Sequence, residues 1–503
     1  MATAAGGWDL VLRGGRVIDP ESGLDAVCDV AVAGGRIAAV GTGLTVPASG
    51  GDVDVAGQVV TAGFIDLHSH VSDLGGLRLQ AMDGVTTALE LEAGVTPVAQ
   101  AYRRAAEQGR PINYGFAASW ALARMEAVAG LPPDASLGAF MARISDPAWQ
   151  RPAEPAQVSA LMARLAADLA EGALGIGVLL GYAPAASPAE YLRVARLAAE
   201  AGVPTFTHAR DLIEMAPASL ADGAEEIVRA AAETGAHMHY CHVNSTSQRH
   251  IDRVLGLVAR AQAAGSRITT EAYPYGSGMT GIGAAFLTPE RLGERGLSPS
   301  SLTYAPTGER IASADRLREL RTTNPGGLVI IDLLGEEDPA DRALLMRSLT
   351  FPGAVVASDA MPLTWTAPPA DPQAWPLPAT AITHPRTAGT FSRALRLLTR
   401  EGLLTRGGPL SLAQALAKCS LEPARLLQDR VPALRTKGRL QPGSDADVVV
   451  FDAAAVTDQA TYLNSTRPSA GISHVLVNGA FVVRDGDIVA DARPGRAVRA
   501  EPG

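Results

Sequence analysis

In the segment TAGFIDLHSH, His68 and His70 stand two residues apart where an apolar run ends. A strand turns alternate side chains to the same face, so this spacing aims two imidazoles at one point. Imidazoles converging in this way are ligands for a divalent metal. Three more residues close apolar runs in the same manner: His208 after VPTFT, His242 after HMHYC and Asp359 after AVVAS. His237 and His239 beside His242 read as ordinary strand histidines. Strand parity turns Cys241 away from His242, into a core.

Chemistry-bearing residues at the carboxyl ends of separate strands need a scaffold that gathers those ends on one face. A (β/α)8 TIM-like barrel does this. Helical stretches lie between the candidate strands, among them AQVSALMARLAADLAEGA and SPAEYLRVARLAAEAG, the second opened by Ser187, Pro188 and Glu190. Strands that alternate with helices imply a parallel sheet. The barrel is expected over about 61–430, longer than the ~250 residues typical of the fold. An insertion is expected at about 286–350, where Pro289, Pro299, Pro306 and Pro325 fall among charged residues. The run MPLTWTAPPADPQAWPLPATAITHP reads as a loop over the active face, with Trp365 and Trp375 either walling a substrate pocket or packing within the loop.

Both ends of the chain read as short strands. Residues 8–60 carry a hairpin signal at Gly34-Gly35, and residues 431–503 carry others at Asn478-Gly479 and Asp485-Gly486. Neither piece has a comfortable core alone, so the two are expected to pair as one β-sandwich beside the barrel.

A chain of 503 residues with 47% hydrophobic content fills its core readily. Net charge −9 argues against nucleic acid as a partner, because neutralising phosphates needs clustered basic residues. Cys28, Cys241 and Cys419 are too few and scattered for a disulfide framework, which fits a reducing, cytoplasmic setting. No apolar run is long enough to span a membrane. Basic residues comprise 41 arginines and two lysines, Lys418 and Lys437.

The motifs GFIDLHSH, THARD, YCHVNS, EAYPYGSG, ASDAMP and HPRTAGTF together resemble the amidohydrolase superfamily and, within it, the N-acyl-D-amino-acid deacylases. GVTTALELEAG and YGFAASWALARM are most similar to the D-glutamate deacylase branch. The resemblance runs from about residue 9 to 495, and it too implies a two-part sandwich and an excursion between the last two barrel strands.

The resemblance implies a metal site of one or two Zn2+, or another divalent ion, held by His68, His70, His208, His242 and Asp359. A pair of metals ~3.5–4 Å apart needs an anionic bridge, which the superfamily draws from a carboxylated lysine, a carboxylate or a cysteine. No lysine lies in a barrel strand, and the family's cysteine position falls on Ala93. Adjacent Glu92 is the expected bridge, with Glu90 second. Arg386 and Tyr273 match positions that hold the substrate α-carboxylate, a task suited to a planar guanidinium. The family's serine near 279 is Met279 here, and the lysine that often follows the sixth-strand histidine is Asn244. Arg210 and Arg249 are then candidates for a side-chain carboxylate.

The expected activity is metal-dependent hydrolysis of a linear amide, with N-acyl-D-glutamate the leading small-molecule substrate. Metal hydroxide attacks the acyl carbonyl and Asp359 moves the proton from water to the leaving amine. Two alternatives stand beside it. A cyclic-amide hydrolase of the hydantoinase or dihydroorotase kind is disfavoured by the missing barrel lysine, and a non-catalytic scaffold by the intact histidines and Asp359.

Overall fold

The computed structural model describes residues 7–46, 50–401 and 408–501. Its centre is an eight-stranded parallel sheet, taken in order from Phe64–Asp66 through Val85–Val95, Asn113–Ser119, Ile176–Leu179, Thr205–His208, Met238–Tyr240 and Ile268–Ala272 to Ala354–Val356. The first and last strands meet just beyond their ends, where Ser69 and Ala360 form a parallel bridge. Buried Asp66 fastens this seam. Its carboxylate accepts the backbone N–H groups of His68 (3.2 Å) and Ser358 (2.9 Å) and the Gln80 amide (2.8 Å). Burial pushes Asp66 up to about 6 against the pull of those hydrogen bonds.

The connecting helices follow local signals. In Pro188–Ala201 the Ser187 hydroxyl accepts the Glu190 N–H, proline occupies the first turn, and Gly202 ends the helix in the left-handed region at φ 66°. Tyr191, Val194, Ala195 and Ala198 form its buried stripe, the spacing of one helix face.

Strands from both ends of the chain join one nine-stranded sheet, in which Val59–Ala62 pairs antiparallel with Val448–Phe451. Its alternation decides what packs where. Val448 and Val450 enter a cluster with Leu12, Val30 and Val60, while Val449 and Phe451 share the main core with barrel residue Phe64. Asn478-Gly479 and Asp485-Gly486 both take positive φ at each position, the geometry of tight hairpin turns.

Between the seventh and eighth barrel strands sits a four-stranded antiparallel sheet of Ser277–Gly281, Leu328–Asp332, Leu302–Tyr304 and Glu309–Arg310. It begins before the 286 suggested by the proline pattern, because Ser277–Gly281 reads as a glycine-rich loop until its distant partner Leu328–Asp332 is known. In the Pro-rich run, Trp375 packs with Leu363 and Leu377 against Leu79, Ala388 and Ala460. Neither it nor Trp365 reaches the pocket described below, so their role as pocket walls is withdrawn. No helix among the described residues is long and apolar enough to cross a membrane.

Candidate active site

At the carboxyl ends of the barrel strands, four imidazoles and two carboxylates meet in a buried cluster. Glu92 is its hub. One carboxylate oxygen lies 2.7 Å from His242 Nε2 and 3.0 Å from His208 Nδ1, and the other 3.3 Å from His68 Nε2 and 3.6 Å from His70 Nε2. Asp359 Oδ1 stands 3.5 Å from the Nε2 atoms of both His68 and His70. Two groupings have metal-ligand spacing here: His68 with Glu92 and His242, and His68 with His70 and Asp359. His208 joins through Glu92.

The backbone is bent to build this arrangement. His242 and Asp359 sit at φ 30° and 49°, a region that non-glycine residues seldom occupy and that concentrates at functional sites. Gly177 lets the second and fourth strands close together, since a Cβ there would lie 2.2 Å from the Glu92 carbonyl oxygen. Ala93, next to Glu92, is buried on the pocket wall.

Carboxylates behind the cluster orient the imidazoles. His70 Nδ1 donates to Glu90 (2.8 Å), and His68 Nδ1 bonds Glu271, which also takes His239 Nε2 at 3.0 Å. With both Nδ1 atoms protonated, the Nε2 lone pairs of His68 and His70 face each other at 3.1 Å. Two nitrogens at that distance need a proton or a metal ion between them, and the imidazole and carboxylate donors around them are a set suited to a divalent metal. Glu90, the second choice for the bridge, is therefore an orienting group. Glu271 was missed from sequence, where nothing in ITTEAYPY ties it to a histidine two hundred residues away.

Electrostatics agree with this division. Burial opposes charge on His68 and His70, but Glu271, Glu92 and Asp359 around the first, and Glu90 and Asp359 around the second, raise both well above the ordinary histidine range. Burial likewise opposes ionisation of Glu92, and the imidazoles of His68, His242 and His208 outweigh it. Asp359 is held below its usual range against burial by Arg386 and His68. The Cys241 thiol lies near His68 and Glu271, and burial with the surrounding carboxylates pushes it well up.

The cluster floors a pocket walled by Phe140, Tyr182, Phe286 and Leu333, with Asp359, Gly278 and Arg295 on its lining. Arg386 is fully buried behind this wall. Its Nη2 pairs with Asp359 at 2.8 Å and its Nε donates to the Asp359 carbonyl oxygen at 2.5 Å, leaving Nη1 without a partner. The Tyr273 hydroxyl, also buried, has none either. Both point at Gly278, where a Cβ would sit 3.4 Å from Tyr273 Oη and 3.9 Å from Arg386 Nη1.

Two arginine candidates fall away. Arg210 is buried in an ion pair with Glu226 at 3.0 Å and donates to the Pro184 and Ala186 carbonyl oxygens, which consumes its fork. Arg249 is exposed and paired with Asp341 at 2.6 Å. The pocket instead receives Arg295, from the insertion, stacked 4.6 Å over Phe286. Arg295 and Arg291 both pair with Asp211, and Arg291 also meets Glu294 at 3.9 Å, so the charges of the group balance. Asn244 braces the Tyr273 loop, donating to the Tyr273 carbonyl oxygen at 3.3 Å and accepting from the Tyr273 N–H at 3.4 Å.

Residues 53–483 match the model of an amidohydrolase family. Over 523 aligned positions, covering 98% of this chain and 96% of the relative, the sequence is 31% identical to an N-acyl-D-glutamate deacylase of Alcaligenes xylosoxydans xylosoxydans. A crystal structure of N-acyl-D-glutamate deacylase from Bordetella bronchiseptica, complexed with zinc and a phosphonate mimic of the tetrahedral intermediate, superposes with TM-score 0.75 at 27% identity, covering 98% of this chain and all of that one. A D-aminoacylase structure solved to define the role of its binuclear metal centre gives TM-score 0.72 at 25% identity over the same shares.

Proposed function

The chain belongs to the amidohydrolase family, and on that premise we propose that it removes the acyl group from N-acyl-D-amino acids, with N-acyl-D-glutamate its leading substrate. The observation that carries the reading is the pair of unpartnered buried donors, Tyr273 Oη and Arg386 Nη1, converging on Gly278 beside the imidazole-carboxylate cluster. A substrate α-carboxylate completes both, and its amide then lies over the cluster.

His68, His70, His208, His242, Glu92 and Asp359 would hold the metal, and nitrogen with carboxylate oxygen is a donor set suited to zinc. A divalent metal bound there supplies an activated water near neutral pH and polarises the acyl carbonyl. Asp359, kept ionised by Arg386, accepts the proton of the attacking water and delivers it to the departing amine, as its position between His68 and the pocket allows. Arg386 thus has two tasks, holding Asp359 through Nη2 and Nε and facing the substrate through Nη1. Phe140 and Phe286 keep water from the reacting amide. Arg295, on the pocket lining, is the cationic side chain a substrate with an acidic side chain would meet.

Three free cysteines, two of them buried, support the cytoplasmic setting expected from sequence. The two ends of the chain, 1–60 and 431–503, are read as one accessory unit beside a barrel spanning 61–430. The deciding experiment is a screen of N-acetyl, N-formyl and N-succinyl D- and L-amino acids with zinc-loaded protein, following free amine. Release from D-glutamate derivatives above neutral D-residues supports the reading. Ring opening of hydantoins without amide deacylation overturns it.

A further inference from the structure

Residues 452–471 connect two strands of the terminal sheet, Val448–Phe451 and Ile472–Val477, and leave it to lie along the helix Arg386–Thr399. Contact is close: a Cβ on Gly389 would stand 2.8 Å from Asp458 Cβ, and Asp458 pairs with Arg393 at 3.2 Å and Arg396 at 2.9 Å. Ser465 Oγ accepts the Thr383 N–H at 3.0 Å, three residues before Arg386. In the middle of this excursion is Tyr462, whose ring meets His384 edge to face at 5.4 Å.

A directed chain of hydrogen bonds runs through Tyr462. His384 Nδ1 accepts the Arg386 backbone N–H at 3.1 Å, one of the donors that a helix start leaves unpaired. The proton of His384 is therefore on Nε2 and is donated to Ser277 Oγ at 2.9 Å. Ser277 bonds the Tyr462 hydroxyl, and that hydroxyl donates to Glu336 at 2.9 Å. Glu336 is itself fixed by the Gly276 N–H at 2.9 Å and by Arg393 at 2.5 Å. Burial, together with Arg386 and Arg393, keeps the His384 imidazole neutral, as a single-tautomer link requires.

The placement of the links gives the chain its purpose. Ser277 immediately precedes Gly278, and His384 precedes Arg386 by two residues, so the same hydrogen bonds hold both sides of the carboxylate cradle. We propose that Tyr462, reaching over from the terminal sheet, is a positioning residue for Arg386 and Gly278, acting through Ser277 and His384, and so tunes selectivity for substrates bearing a free α-carboxylate. The inference rests on reading Arg386 as part of the carboxylate clamp.

The test measures kcat/KM for N-acetyl-D-glutamate and for its α-amide with zinc-loaded wild type, Tyr462→Phe, Gly278→Ala and the double variant. Loss of one hydrogen bond in the chain is expected to lower the carboxylate-to-amide ratio ~3- to 10-fold in Tyr462→Phe. The loss should fall in KM more than in kcat. In Gly278→Ala, whose cradle is already filled, Tyr462→Phe should change the ratio little. If Gly278→Ala itself leaves the ratio unchanged, the clamp reading fails. If Gly278→Ala lowers it and Tyr462→Phe does not, or if the two effects add in full, the Tyr462 inference is overturned. Glu336→Gln, at the outer end of the chain, gives the same reading should Tyr462→Phe fail to fold, with a smaller fall in the ratio expected and no fall refuting the chain.

Discussion

Gly278→Ala adds one methyl group at the point where the substrate carboxylate is expected. That methyl would lie 3.4 Å from both Tyr273 Oη and Leu333 Cδ1 and 3.9 Å from Arg386 Nη1, ordinary van der Waals distances, and Gly278 is not in the positive-φ region. The fold should accept it, and the loss of backbone freedom in the unfolded chain should leave Tm unchanged or slightly raised. Substrate binding is another matter. A carboxylate oxygen bonded to Tyr273 must come within ~2.8 Å of that hydroxyl, in the gap the methyl now occupies. A hydrogen bond to a charged group contributes about 1.5–3 kcal/mol, so losing one lowers kcat/KM by roughly 10- to 150-fold. The assay is amine release from N-acetyl-D-glutamate, with its α-amide as control and a thermal melt to confirm folding. A well-folded variant that loses less than about threefold on the acid, or as much on the amide as on the acid, refutes the location of the carboxylate site.

Asp359→Asn should keep most of the bound metal, its other five ligands being intact, while turnover falls ~10²-fold or more, the size expected for a general acid-base group; turnover within threefold of wild type would remove it from the mechanism. Glu92→Ala should lose metal and activity together, measured by atomic emission after dialysis, while added bicarbonate does nothing for the wild type, because no lysine lies in the barrel strands to be carboxylated. Metal binding should release protons, seen with an indicator dye, because His68 and His70 have raised pKa values, and affinity should weaken as pH falls. In metal-free protein those same raised values contribute stability that is fully present below about pH 6.5 and lost as pH rises through the folded-state values, so its Tm should drop on alkalinisation. A Tm that climbs over that range contradicts the protonation pattern.

The barrel was legible because its strand ends advertise themselves. His68, His70, His208, His242 and Asp359 each close an apolar run, and the structure sets them within reach of Glu92. What sequence could not show is which polar group meets which. Glu90 and Glu92 sit on the same face of one strand, and only the positions of His70 and His242 separate an orienting carboxylate from a hub. Arg210 carried the right charge in the right motif, but Glu226 on the following helix claims it. Arg295 lay in a stretch with no strand or helix signal strong enough to aim it, and Glu271 acquires meaning only through His68. The deciding partner lies far along the chain for Glu92, Arg295 and Glu271, and for Arg210 it lies sixteen residues on, in another element.

The join between the two chain ends sets a timetable. Val59–Ala62 has Leu10–Asp19 on one side from the start of synthesis, but its other neighbour is Val448–Phe451. At about 5–20 residues per second the intervening ~390 residues take ~20–80 s to emerge, and for that time a strand whose four residues are all buried in the finished fold stands with an open edge. Open edges recruit wrong partners. The first barrel strand begins two residues after Ala62 and leads straight into His68 and His70 of the candidate site. A nascent chain stalled before residue 448 should therefore bind aggregation-suppressing chaperones through its amino-terminal strands, long after those strands have left the ribosome.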